Sequence, residues 1–280
     1  MYISTRNNYQ EVSAAEAIKL GMVPTGGLFV PKKIPVLSEK EISDLVGRSY
    51  QEIAQKVISL YLDDYTPEEI LECVQKAYNQ ENFQHPQIAP VRKIYPDTFI
   101  LELWHGPTAA FKDMALQIMP HLLSKAISKL GHTKEVVILV ATSGDTGKAA
   151  LEGFKDVDGT KIIVFYPNNG VSEVQKYQMI TQEGKNVYSI AVEGNFDDAQ
   201  NGVKAIFTDN GFKDQLEKAN YKLSSANSIN WGRLVPQIVY YFSAYADMIK
   251  NKEIECGEKI NFVVPTGNFG NILAAYYAKE

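Results

Sequence analysis

Cysteine is scarce: Cys73 and Cys256 are the only two in 280 residues, far apart and in no C-x-x-C arrangement. That argues against a disulfide scaffold or a structural zinc site and leads us to expect reduced cytosolic thiols. The four histidines, His85, His105, His121 and His132, are scattered without metal-ligand spacing. Basic residues are in deficit, 28 Lys+Arg against 33 Asp+Glu for a net charge of −5, so no positive field invites nucleic acid. No apolar run is long enough for a transmembrane helix, and residues 1–10 lack the apolar centre of a secretory signal. Internal repeats and low-complexity tracts are missing too. With 45% hydrophobic and 22% charged residues, the expectation is a cytoplasmic globular protein with neither membrane nor nucleic-acid partner. The length suits one large or two modest domains.

Residues 1–80 read as helical. Ser13-Ala14-Ala15-Glu16 has a capping-box pattern and Gly21 ends that run. Ser38 precedes an amphipathic stretch through Leu62, and Thr66-Pro67-Glu68-Glu69 opens another helix. Between them, Pro24-Thr25-Gly26-Gly27 turns into a short strand at Leu28 to Pro31. From about Thr98 the rhythm changes. Strand-like runs over 98–104, 136–141, 161–166, 186–192 and 260–264 alternate with helix-like runs over 110–130, 148–154, 172–183, 197–209 and 232–250. Apolar strands alternating with helices imply crossovers and mostly parallel sheet. Pro120 is expected to kink the helix over 110–130.

Four segments could carry chemistry. In Trp104-His105-Gly106-Pro107-Thr108-Ala109-Ala110-Phe111-Lys112-Asp113, a strand ends and Lys112 falls in the first turn of a helix. The helix dipole disfavours a cation there by only ~0.3–1 kcal/mol. Bringing a lysine from ~10.4 to ~7 needs roughly 4–5 kcal/mol, so burial or covalent use must supply the rest. The plainer alternative is a surface lysine pairing Asp113 or Glu102, with His105 a structural hydrogen-bonder. In Ala141-Thr142-Ser143-Gly144-Asp145-Thr146-Gly147, hydroxyls and backbone N–H groups gather at a helix N-terminus, giving either an anion site or a plain capped turn. It is no nucleotide P-loop: Gly144 and Gly147 stand too close, and Ala149 replaces the magnesium-binding hydroxyl. In Pro265-Thr266-Gly267-Asn268-Phe269-Gly270-Asn271, two glycines let backbone approach a phosphate, without dinucleotide spacing. Ser224 to Arg233 offers Asn227, Ser228 and Arg233 to an oxyanion, or else Asn230 caps a helix and Arg233 makes a salt bridge.

Taken together and in this order, the four segments resemble threonine synthases, fold-type II pyridoxal-phosphate enzymes. His105 to Asp113 is similar to that family's cofactor-lysine segment, with Ala109 where leucine is usual. Residues 142–147 match the loop facing the substrate carboxylate and the cofactor ring. Residues 227–233 match the grip on substrate phosphate, and 265–271 the glycine loop around cofactor phosphate. Gly21 to Pro31 also resembles the family's N-terminal segment.

The resemblance implies an α/β, tryptophan synthase β-like fold with mostly parallel sheets in a large and a small domain. Residues 1–80 would be a helical N-terminal region, 81–123 and 231–280 the large cofactor-binding domain, and 124–230 the small domain. It implies pyridoxal 5'-phosphate held as a Schiff base on Lys112, with Gly267, Asn268, Phe269, Gly270 and Asn271 around it. Thr142, Ser143, Asp145, Thr146, Asn227, Ser228 and Arg233 would hold O-phosphohomoserine, which a carbon-oxygen lyase converts with water to threonine and phosphate. The enzyme would be a monomer or homodimer. Threonine dehydratase and cysteine-forming β-replacement enzymes share fold and cofactor, but neither expels a phosphate ester. A catalytically silent relative is a further alternative. The family runs well beyond the glycine loop, so the resemblance also implies an N-terminal portion, lacking a hydroxyl partner for the pyridine nitrogen and expected to bind cofactor weakly or not at all.

Overall fold

Strands β1 (Tyr2–Ser4) and β2 (Phe29–Pro31) pair antiparallel and bracket helix α1 (Ala14–Leu20). The Ser13 hydroxyl accepts from the Glu16 N–H to start α1, and Gly21, at φ 74°, closes it with a bond to the Ala17 carbonyl. The computed structural model describes residues 1–131 and 134–280; His132 lies outside the described residues.

The amphipathic stretch from Ser38 to Leu62 is two helices, α2 (Glu39–Ser43) and α3 (Tyr50–Tyr61). Gly47, at φ 81°, breaks the run, and Ser49 with Glu52 forms a second full capping box that restarts it. Helix α4 (Pro67–Ala77) follows, with the expected Thr66–Glu69 box and Pro67 at its start. On α3, Ile53, Ala54, Val57 and Ile58 are buried at helical spacing, and this face packs on the long helix near the C-terminal end of the chain.

The run over 98–104 shortens to β4 (Thr98–Leu101), which pairs antiparallel with β3 (Val91–Tyr95) in a largely exposed hairpin. The expected helix over 110–130 is two, α5 (Asp113–Leu116) and α6 (Met119–Lys129). Pro120 therefore sits in the first turn of α6, where its missing N–H costs nothing, rather than kinking a helix interior.

The parallel sheet is built from β5 (Glu135–Ala141), β6 (Thr160–Pro167), β7 (Val187–Val192) and β8 (Tyr221–Ser225), in the order β7-β6-β5-β8. Its helices are α7 (Asp145–Phe154), α8 (Glu173–Ile180), α9 (Phe196–Thr208) and α10 (Asn210–Lys218). Crossovers through helices between parallel neighbours are what the alternating pattern requires.

Helix α11 (Trp231–Lys250) is the pillar of the other half, with residues buried on every side from Trp231 to Tyr241. It packs on α3, α5, α6 and α12 (Gly270–Lys279). At its start, the Trp231 ring meets Tyr2, Tyr61 and Tyr277 at 5.4, 5.5 and 5.4 Å. The strand expected over 260–264 is not formed: no neighbouring strand pairs it among the described residues, and Val263 is 93% exposed. Among the described residues no helix is long and apolar enough to cross a membrane.

Candidate active site

The loop before α5 is shaped by a buried carboxylate. Asp113 is fully buried and accepts from the Thr108 N–H at 2.9 Å and the Thr108 hydroxyl at 2.7 Å. Burial pushes its carboxyl pKa up, with the Thr108 bonds opposing. A Cβ on Gly106 would lie 2.5 Å from that of Asp113, so only glycine fits there. Ala109 takes a left-handed φ of 54° to complete the turn. This folding presents Lys112 just ahead of α5.

Neither Asp113 nor Glu102 is the partner of Lys112. Its Nζ donates to Asp145 Oδ2 at 3.0 Å, and the ammonium lies 4.0 Å from the centre of the Phe111 ring. Glu102 instead pairs with Arg92 and with His105, whose Nε2 is 2.7 Å away. His105 thus has the structural role expected of it, its ring packed at a tilt against His85. The Lys112–Asp145 contact joins the first segment to the second.

In that second segment, Thr142 is buried and its hydroxyl accepts from the N–H groups of Gly144 at 3.1 Å and Gly147 at 2.9 Å. Thr142 pins the loop from behind. Ser143 is exposed, and Asp145 and Thr146 open α7. A Cβ on Gly144 would fall 2.7 Å from the Gln175 amide, which places α8 directly against the loop. A cavity of about 470 Å³ lies here, lined by Trp104, Thr108, Phe111, Asp145, Lys148 and Gln175, among others. Sequence reasoning missed Gln175, whose one visible signal was its place three residues after the α8 cap Ser172.

The third and fourth segments also meet. Asn230 caps α11, accepting from the Gly232 N–H, while its amide donates to the carbonyls of Ile18 and Ser225 at 2.9 Å each. The capping alternative therefore holds for Asn230, but the salt bridge proposed beside it does not. Arg233 is 3% exposed, donates through Nη1 to the Ala226 carbonyl, and has no ion pair among the described residues. Its Nε and the Oδ1 of Asn227 are buried without a hydrogen-bond partner. Burial lowers the guanidinium to about 10, with Asp145, Tyr240 and Asp113 pulling it back up.

Ser228 sits where a Cβ on Gly270 would touch it at 3.0 Å, so the glycine loop lies over this segment. Gly267, Asn268 and Phe269 are exposed, and among the described residues no hydrogen bond joins them to Lys112. Asn271 points inward: its Oδ1 accepts from the hydroxyls of Tyr240 and, at 2.7 Å, Tyr241. A line of contacts and fields therefore runs from Lys112 through Asp145 to Arg233, Tyr240 and Asn271.

Two family models together match most of the chain: "Threonine synthase N terminus" over residues 1–78 and "Pyridoxal-phosphate dependent enzyme" over 91–279. The chain belongs to the pyridoxal-phosphate dependent enzymes. A human relative, "Threonine synthase-like 1", is 45% identical over 295 residues, covering 99% of this chain and 39% of that protein. Threonine synthase of Pseudomonas aeruginosa is 41% identical over 280 residues, covering 100% of this chain and 57% of that one. The solved structure of PLP-bound threonine synthase from Brucella melitensis superposes with a TM-score of 0.87 at 39% identity, over 99% of this chain and 57% of that one. The chain thus spans about half the length of the relatives it matches. The fold is the fold-type II α/β arrangement, pyridoxal 5'-phosphate is its cofactor, and the resemblance to threonine synthases is borne out.

Proposed function

We propose that this chain carries the lysine-centred part of a threonine synthase site, acting on O-phospho-L-homoserine and water to give L-threonine and phosphate. The observation that carries this is Arg233: a buried guanidinium with an unpartnered Nε, bonded to the Ala226 carbonyl one residue before Asn227, whose side-chain carbonyl is also buried and unpartnered. Leaving a buried donor unmade costs about 1–3 kcal/mol, more for a charged group, and a phosphorylated ligand supplies the missing acceptors. Neither threonine dehydratase nor a cysteine-forming enzyme has a phosphate ester to place there.

The residues fit the cofactor. Lys112, whose neighbour Phe111 and partner Asp145 both line the cleft, would bond the cofactor's aldehyde carbon. Backbone at Gly267 to Gly270, with Asn271, would take the cofactor's phosphate at the start of α12. When bound, the cofactor supplies a ring that stores the electron pair of a substrate carbanion. Lys112 Nζ, released from Asp145, would take the proton from the substrate α-carbon and return protons further along the chain. Arg233, Asn227 and Ser228 would hold the departing phosphate. Ser143 and Thr146 would orient the substrate carboxylate, with Thr142 fixing the loop that presents them. We assign residues 1–80 to a helical region, 81–123 with 231–280 to the larger domain, and 124–230 to the smaller one.

The test is an absorbance titration with excess pyridoxal phosphate, followed by O-phosphohomoserine and O-acetylserine side by side. We expect at most a weak cofactor band from this chain, lost in Lys112→Ala, and phosphate release from the first substrate only. Phosphate release from neither, or sulfide incorporation from O-acetylserine, overturns the assignment.

A further inference from the structure

We propose that the cavity between the N-terminal segment and α9, α10 and β8 is a second ligand site, taking an amphipathic monocarboxylate of medium chain length. The cavity measures about 640 Å³, within the roughly 300–1,000 Å³ of small-molecule pockets. Its walls come from parts of the chain distant in sequence: Leu20 and Met22 on one side, Phe207, Leu216 and Leu223 on the other. None of these belongs to the Lys112 site. An apolar concavity left to water forgoes about 25 cal/mol for each Å² it could bury, so its walls favour hydrocarbon.

Charge selects the class of ligand. Lys204, Lys213 and Lys222 stand around the cavity, and Glu217, its one carboxylate among the described residues, is drawn away to Lys134 at 3.7 Å. Lys204 bonds the neutral amide of Gln200, which leaves its charge uncancelled. Lys222 also faces Lys19, which is only 6% exposed. Burial first, and then Lys222, lower the pKa of Lys19, with Glu16 opposing. An anion held between the walls would pair with the lysines at the cavity's rim. Inorganic phosphate would answer the lysines but not the hydrocarbon walls; a neutral lipid would do the reverse. A carboxylate head on an alkyl tail answers both.

The proposal is independent of the Lys112 chemistry and is tested without cofactor. Octanoate is titrated calorimetrically into the full chain, with octanol and octylamine as comparisons. Saturable one-to-one binding of octanoate is expected, at least ~10-fold tighter than either comparison. The same loss of ~10-fold or more is expected in the double variant Lys213→Glu/Lys222→Glu and in Leu216→Trp, which fills the cavity. The lysine variant, altered at the rim, keeps the test decisive should Leu216→Trp not fold. Equal affinity for octanol, unchanged affinity in the lysine variant, or no saturable binding up to about 5 mM overturns the proposal.

Discussion

The two glycine loops are written in the same grammar and folded to different degrees. Each follows an apolar, β-branched run and precedes a helix. In the first, the run is β5, hydrogen-bonded to β6 on one side and β8 on the other, and the loop is pinned by buried Thr142. In the second, the run over 260–264 forms no strand, and the loop after it stands in solvent with Phe269 68% exposed. The lesson is that a β-run is a request for neighbours. Propensity alone does not answer it, because ladder bonds and buried faces come from other strands.

Hydrogen exchange gives the largest separation between the two. Amides of Val136 to Ala141 are expected to open only with global unfolding, and those of 260–264 at close to free-peptide rates, a difference of about 10³-fold or more. Equal protection would mean that 260–264 is paired in solution, and the comparison would fall. Next comes a glycine from each segment, one in the helix after the first loop and one in the second loop itself. A Cβ on Gly153 of α7 would lie 2.0 Å from the Leu116 carbonyl oxygen, so Gly153→Ala should cost ~3 kcal/mol or more in urea unfolding. Nothing lies within 4 Å of a Cβ on Gly267, and Gly267→Ala should stay within about 0.5 kcal/mol. Thr142→Val, which strips an acceptor from two buried N–H groups, should cost ~2 kcal/mol. The smallest effect is expected of Thr266→Val, about 0.5 kcal/mol or less, because its hydroxyl bonds the exposed Asn268 carbonyl. If the two threonines cost the same, the first loop is not pinned as described.

Features set by near neighbours were legible in the sequence. The helix start after Ser38, the box at Thr66, the cap at Ser13, the stop at Gly21 and the strands β5 and β6 all depend on a few adjacent residues. What depended on distant partners was not. Val91 to Tyr95 and Tyr221 to Ser225 carry charged or hydroxyl residues where a buried run would be apolar, so β3 and β8 escaped notice until their partners were in place. At the site, all four segments were visible, but their connections were not. Lys112 finds Asp145 33 residues away, rather than Asp113 next door, because Asp113 is spent on Thr108. In sequence Arg233 reads as either an oxyanion binder or a salt-bridge partner; its burial with Nε unpaired is what the fold adds.

The Asn230 amide carries a consequence for synthesis. It joins the Ile18 carbonyl to the start of α11 across 212 residues, and its neighbour Trp231 closes on Tyr2 and Tyr61. On a ribosome adding ~5–20 residues per second, the opening helices wait on the order of ten to fifty seconds for that cover to be made. Through that interval the aromatic faces of Tyr2 and Tyr61 lack the Trp231 side of their packing, open to chaperones or to other nascent chains. The tie that anchors the start of α11 is therefore also among the last long-range stitches available to the emerging chain.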